Sequence, residues 1–439
     1  MRIWNRAPII LLTAFALAAL PAVALAEGPD GAQVSAGDTA WVLGSASLVM
    51  LMTPALAFFY GGMVRQKNAL STLMHSFVII ALISVQWVLW GYSLAFGPDH
   101  GGIIGGLDWV GLSGVGLTPN PDYAPTIPHQ AFMIFQGMFA VITPALITGA
   151  FAERMKFKSF LIFVLLWATL VYDPVAHWMW GMGGWLRELG ALDFAGGAVV
   201  HITSGVGALA AAMVIGRRSG VENGAVEPHD TTMIVFGAGF LWFGWFGFNA
   251  GSAVASGSLA TSAFVVTNTA AAMGALVWMT LSWAFSGKPS VIGTVSGAIA
   301  GLAAVTPASG YVTPMGAIMI GLVAGVLCFF AVRLRARSSV DDSLDVWGVH
   351  GVGGTWGVLA VGLFATLAVN SAGANGLFFG NPTQLLTQAL ATVVLWVYSF
   401  VVTFIIIKAV DFCFGLRVAD HEEAEGLDLS QHGEVAYNI

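Results

Sequence analysis

Two histidines stand inside long, nearly uncharged stretches of this 439-residue sequence. His201 lies in DFAGGAVVHITSGVGALAAAMVIG, and His350 lies in DSLDVWGVHGVGGTWGVLAVGLF. Imidazole donates, accepts and relays protons near neutral pH. Each histidine follows an aspartate, Asp193 or Asp342, by eight residues. An ionisable side chain at bilayer depth is costly unless it faces a cavity or a partner. A single histidine of this kind could simply bond a neighbouring helix. Two of them, in matching contexts in opposite halves of the chain, point to a pathway through the protein.

The composition sets the medium in which these groups work. The chain is 57% hydrophobic and 9% charged, with a mean hydropathy of +0.82. No soluble domain of this size hides that much apolar surface. The 55 glycines let membrane helices pack closely, and the 16 tryptophans suit the interface. The net charge of −7 comes largely from an acidic tail, which excludes a nucleic-acid role. Cys328 and Cys413 form neither a disulfide framework nor a metal-ligand spacing. There is no H-E-x-x-H motif. A membrane enzyme with a histidine-bound metal would need three or more ligands. The expectation is a non-enzyme with no cofactor.

At the N-terminus, Arg2 and Arg6, the apolar run Ile9 to Leu20 and Ala24-Leu25-Ala26 read as a signal peptide over residues 1–26. Eleven spans follow, centred near Val49, Ile80, Ala140, Leu166, Gly207, Leu241, Ala272, Ala298, Gly321, Leu359 and Val401. Basic residues follow the odd-numbered spans: Arg65 and Lys67, then Arg154, Lys156 and Lys158, then Arg217 and Arg218, Lys288, Arg333, Arg335 and Arg337, and finally Lys408 and Arg417. The intervening loops hold only Arg187. The positive-inside rule then places the N-terminus outside and the C-terminus in the cytoplasm. The expected fold is all-α and polytopic: an inverted 5+5 repeat plus one extra helix. Residues 27–416 would form the membrane domain and 417–439 a cytoplasmic tail. If each aspartate starts a helix, eight residues rise about 12 Å. Half the hydrocarbon thickness is about 15 Å, so both histidines would lie near the midplane.

No acidic ring lies at mid-membrane, so the histidine path favours a small neutral species, or one that can become neutral. A collecting site for the charged form belongs at the outer entrance. Trp180, in AHWMWGMGG, and Ser252, in GWFGFNAGS, close the fourth and sixth spans on that side. An indole face attracts a cation, and a serine oxygen accepts a hydrogen bond from it. Phe248 lies one turn below Ser252, and Phe135 and Phe139 lie one turn apart in FQGMF. Aromatic rings below a cation site would exclude water.

At these strings the chain resembles the ammonium transporter family (Amt/MEP/Rh), most closely its bacterial Amt members. The matching strings are FFYGGMVRQKN at 58–68, FQGMFAVITPALITGAFAER at 135–154, ALDFAGGAVVHI at 191–202, GWFGFNAGS at 244–252, GKPS at 287–290, DVWGVHGVGG at 345–354 and HGEVAYNI at 432–439. The resemblance implies ammonium or ammonia as substrate, with methylammonium as analogue. It implies Phe139, Trp180 and Ser252 as the external recruitment site. Phe139 and Phe248 would be the phenyl gate, and His201 and His350 the pore pair. Asp193 would be structural or an aid to deprotonation. The resemblance also implies a homotrimer in the inner (cytoplasmic) membrane, serving nitrogen metabolism, and a PII-type signalling protein acting at the tail. A Rhesus-type channel for ammonia or carbon dioxide, and an ammonium sensor, are the competing readings. Gly426, Gly433 and Asn438 punctuate the tail with turns, so it should dock on a neighbouring subunit rather than trail in solvent.

Overall fold

The computed structural model describes residues 34–221 and 226–437, so the expected signal peptide lies outside the described residues. The chain builds a helical bundle. The helices are α1 (Ala36–Met63), α2 (Ala69–Gln86, continued by Trp87–Gly91 and Tyr92–Phe96) and α3 (His129–Phe151). Next come α4 (Phe157–Trp167, continued by Ala168–Tyr172 and Asp173–Trp180), α5 (Gly197–Ile202 and Thr203–Ile215) and α6 (Thr231–Gly251). Then follow α7 (Ser258–Ser286), α8 (Val291–Val305), α9 (Pro314–Ala336), α10 (Trp347–Gly351 and Val352–Phe364) and α11 (Pro382–Phe414). All eleven expected span centres fall inside these helices. Ten of the helices are long and apolar enough to cross a membrane. α10 falls outside that set because its glycines, Trp347 and His350 dilute its hydropathy.

Local chemistry sets the helix ends. Ser35, Asp230, Ser290 and Thr313 accept a backbone N–H two or three residues into α1, α6, α8 and α9, and Pro314 occupies the first position of α9. α1 lies along α6, and α7, α8 and α9 pack together. α5 and α10 occupy the centre, and α11 crosses α4, α5 and α10. Between α2 and α3, two short hairpins, β1 (Asp99–His100) with β2 (Ile104–Gly105) and β3 (Pro119–Asn120) with β4 (Ala124–Pro128), cover the side of the bundle that carries Trp180. The C-terminal tail covers the opposite side.

The two aspartate-to-histidine segments differ from the expected eight residues of helix. Asp193 and Asp342 stand outside their helices as caps, and the chain enters through a turn. The histidines are therefore the fifth residue of α5 and the fourth of α10. Both first turns are π-helical, with His201 N–H donating to Gly196 O at 3.1 Å. Such turns widen the helix and recur at functional sites.

Glycine explains why these two helices meet. A Cβ on Gly205 of α5 would lie 2.1 Å from Gly351 N of α10, and one on Gly354 would lie 2.8 Å from the His201 Cβ. Only backbone against backbone fits here, as small residues permit in membrane helices. This crossing brings the two imidazoles together.

Candidate functional site

A chain of aromatic rings runs from the Trp180 side into the centre. The Phe139 ring stands perpendicular to Trp180 at 6.0 Å, and it faces Phe248 at 4.3 Å with a 34° tilt. Phe248 stacks on His201 at 6.0 Å and 21°, and His201 stacks on His350 at 5.2 Å and 26°. The two imidazole Nδ1 atoms are 3.2 Å apart. At that distance one Nδ1 donates and the other accepts. The two Nε2 atoms then take opposite roles in a neutral pair, one an N–H and the other a lone pair. His201 Nε2 is buried without a protein partner.

The cavity at this pair is narrow and apolar. Met52, Leu56, Ile142, Leu146, Leu241 and Ile299 line it with the histidines, and the space open to the centre of a water-sized molecule is about 10 Å³. That is room for roughly one such molecule. Beyond His350 the path widens into a cavity of about 590 Å³ on the tail side, lined by Tyr60, Arg218, Asp341, Ser343 and Asp345 among others.

The expected entrance residues are placed as follows. Trp180 closes α4, and its indole N–H donates to Asp193 O at 2.8 Å. Ser252 follows α6, and its hydroxyl donates to Phe248 O at 2.9 Å, which leaves its own oxygen free to accept. The Asp193 carboxylate accepts from Gly196, Gly197, Ala198 and Val199 N–H at 2.8–3.1 Å. It thus satisfies the unpaired amides at the start of α5, which is a capping role. In α10 the Asp342 carboxylate accepts from Trp347 N–H at 2.7 Å and leaves Oδ1 unpartnered. The structure therefore joins Phe139, Trp180, Phe248, His201 and His350 in one file. Asp193 sits beside it, and Ser252 sits one turn above Phe248.

Trp245 was not anticipated. Its indole packs on His201 at 5.4 Å, and its N–H donates to Thr306 Oγ1 at 2.8 Å. The signal was present, because Trp245 lies in GWFGFNAGS three residues before Phe248. Gln388 of α11 was also missed. It bonds both the N–H and the O of Leu192, at 2.8 and 2.7 Å, and so fixes the approach to Asp193.

On the opposite side the tail is folded against the bundle. Its short helix α12 (Asp420–Glu425) carries the buried Glu423, which accepts from Ser219 N–H and Arg417, both at 2.6 Å. Asp428 accepts from Leu70 and Ser71 N–H at 3.0 and 2.7 Å and so caps α2. Asn68 links Leu427 N–H (2.8 Å) to Glu153 (3.0 Å). Glu153 also binds Arg65 and Arg218, and Arg218 grips Asp341. Burial works to raise the Glu153 carboxyl, but Arg218 and Arg65 more than cancel it and hold it below the usual range. Asp341 is likewise pulled against burial, by Arg218, down to about 2. The expected tail turns occur at Gly426 (φ 115°) and Gly433 (φ 70°), whereas Asn438 lies outside the described residues. The groups that hold the tail here belong to its own chain.

Residues 40–437 match the model of the Ammonium Transporter Family. The chain is 55% identical over 402 residues to an ammonium transporter of Bacillus subtilis, covering 91% of this chain and 98% of that one. It is 53% identical over 404 residues to ammonium transporter Amt1 of Archaeoglobus fulgidus, covering 92% and 100%. The crystal structure of Candida albicans Mep2 superposes with a TM-score of 0.84 at 39% identity, covering 89% of this chain and 88% of that one. This chain is a polytopic membrane protein that belongs to the ammonium transporter family.

Proposed function

We propose that this protein moves ammonium nitrogen across the cytoplasmic membrane by recruiting the cation, stripping its proton and passing ammonia along the histidine pair. The observation that carries this reading is the file of rings ending in two imidazoles 3.2 Å apart in an apolar cavity. Trp180 offers an indole face to the cation and Ser252 offers an oxygen. Below them Phe139 and Phe248 close the file, so a charged, hydrated ion meets a desolvation barrier. Potassium has a radius close to that of ammonium but has no proton to surrender. An apolar pore therefore rejects potassium, while ammonia enters and finds a donor and an acceptor on the two Nε2 atoms. Exchange of tautomers across the Nδ1–Nδ1 bond lets the pair relay the proton.

In this reading all eleven helices span the membrane, with α1–α5 and α6–α10 as inverted halves. The two π turns and their aspartate caps, in α5 and α10, support that equivalence. The ring-file entrance faces outward, the tail faces the cytoplasm, and residues 1–26 are a signal peptide. Family membership supports a homotrimer and a PII-type regulator at the tail side. The test is to record ammonium-evoked current from purified protein in liposomes on a supported membrane, with potassium as the control. Current or alkalinisation with ammonium and none with potassium is expected. Equal responses to both ions, or to neither, would reject the reading.

A further inference from the structure

Trp180 is the last residue of α4, and its carbonyl, its indole and the helix turn beneath it are each held separately. Arg187 donates to its carbonyl at 2.5 Å, and the indole N–H is fixed on Asp193 O. The third restraint comes from His177, three residues earlier on the same helix and fully buried. Its Nε2 lies 2.8 Å from Asp99 Oδ1, and its Nδ1 lies 3.1 Å from Ala95 O. Both ring nitrogens thus face acceptor oxygens, and a ring N–H donates to them.

Asp99 belongs to the β1–β2 hairpin, which straps the end of α4. Its carboxylate also takes Gly102 N–H at 2.8 Å, so the turn presents the acid in a fixed direction. Ile103 O accepts from the Trp178 indole at 2.6 Å, and Gly102 O accepts from Trp185 N–H at 3.1 Å. The glycines after Trp180 exist for this strap. A Cβ on Gly181 would lie 2.5 Å from the His177 ring, and one on Gly184 would lie 2.0 Å from His177 O. One on Gly183, whose φ is 84°, would lie 2.8 Å from the Asp99 Cβ. The chain therefore folds back directly over the Asp99–His177 pair, and the indole is carried one turn above it.

We infer that Asp99 and His177 are positioning residues for external recruitment: the hairpin acts through their bond to set the indole of Trp180 at the entrance. The attraction of a cation to a ring falls away once the cation is off the ring face. Loosening the strap should therefore weaken capture of the cation and leave the pore's own rate in place. This inference rests on Trp180 being the recruiting residue.

The experiment measures methylammonium uptake against concentration for Asp99→Ala, Trp180→Leu and the double variant. Protein amount and size-exclusion profile are recorded alongside. Asp99→Ala should raise the half-saturation concentration roughly threefold at unchanged maximal rate, a part of the roughly fivefold that loss of the indole contact is worth. In the Trp180→Leu background it should add nothing. Asp99→Asn keeps an oxygen for His177 and Gly102 and should fall between Asp99→Ala and wild type. If Asp99→Ala does not accumulate, Asp99→Asn runs the same cycle. A shift by Trp180→Leu with none by either Asp99 variant overturns this inference alone. An Asp99 effect that is equally large without the indole overturns it as well. No shift by Trp180→Leu overturns the recruitment reading and this inference with it.

Discussion

At the scale of single residues, the histidine pair concentrates the chemistry. His201 and His350 share one hydrogen bond, and the rings of Trp245 and Phe248 flank His201. Removing one imidazole leaves the other with an unpartnered nitrogen, at a cost of about 1–3 kcal/mol. The fold does not hang on that, because the glycine crossing beneath the pair stays intact. The expected outcome for His201→Asp is an assembled protein whose selectivity is broken. A carboxylate in the narrow cavity lowers the desolvation barrier for a permanent cation, so potassium should begin to carry current. The check is potassium-evoked current in liposomes. Wild-type potassium exclusion in His201→Asp and in His350→Ala would show that the pair does not set selectivity. By contrast, Trp245→Leu removes the ring behind His201 without touching the pair. It should slow transport while leaving potassium excluded, which the same recordings read.

At the scale of elements, α5 and α10 place that pair, and their contact is backbone on backbone. Gly205→Ala puts a methyl against Gly351, where no side chain can give way. Overpacking of this kind costs about 1–3 kcal/mol, and the two helices must separate to relieve it. The variant should unfold at lower temperature in detergent and lose transport; unchanged melting and uptake would show that the crossing is not tight. The glycines were visible in the sequence as composition, but which pairs touch depends on the crossing angle, and that emerges only in three dimensions. The same holds for depth. The eight-residue spacing from aspartate to histidine is plain to read, yet a capping aspartate and a capping turn consume half of it, so the helical rise was overestimated. Phe139, Phe248 and the histidines were legible because each sits in a distinctive local string. Trp245 was hidden among 16 tryptophans, most of which a membrane protein uses for packing or interfaces. Gln388 and the Asp99–His177 pair join residues far apart in the chain, so no local pattern marks them.

At the scale of the whole molecule, a polar knot ties the tail to the mouth of the wide cavity. Glu423 holds Ser219 in the loop after α5, Asn68 joins Leu427 to Glu153, and Glu153 and Asp341 share Arg218. Both of these acids are held below their ordinary range, so their stabilisation is complete above about pH 4–5 and is lost only as pH falls toward the folded values, about 2 for Asp341. The tail's His432, packed on Phe157, is held below the ordinary imidazole range by burial, so docking weakens as pH falls below about 6.5. Protease cleavage of the tail should therefore be flat between pH 7 and 8 and rise as pH falls toward 5; cleavage that rises between pH 7 and 8 would mean the knot is not what holds the tail. Truncation after Leu416 removes Glu423, Leu427 and Asp428 together. Helix α2 then loses its cap, a loss of about 1 kcal/mol, and Lys67, Asn68 and Ser219 lose their tail partners. The membrane helices keep their own packing, so the truncated chain should still insert and assemble. Its transport should fall, because Arg218 and Asp341 line the wide cavity and are steadied through Glu153 and Asn68 by the tail. The PII-type regulator proposed above should no longer co-purify. Uptake, assembly on size exclusion and PII co-purification decide the matter. A truncated chain that equals the full chain in uptake and in PII capture would make the knot mere packing, with no hold on the pore.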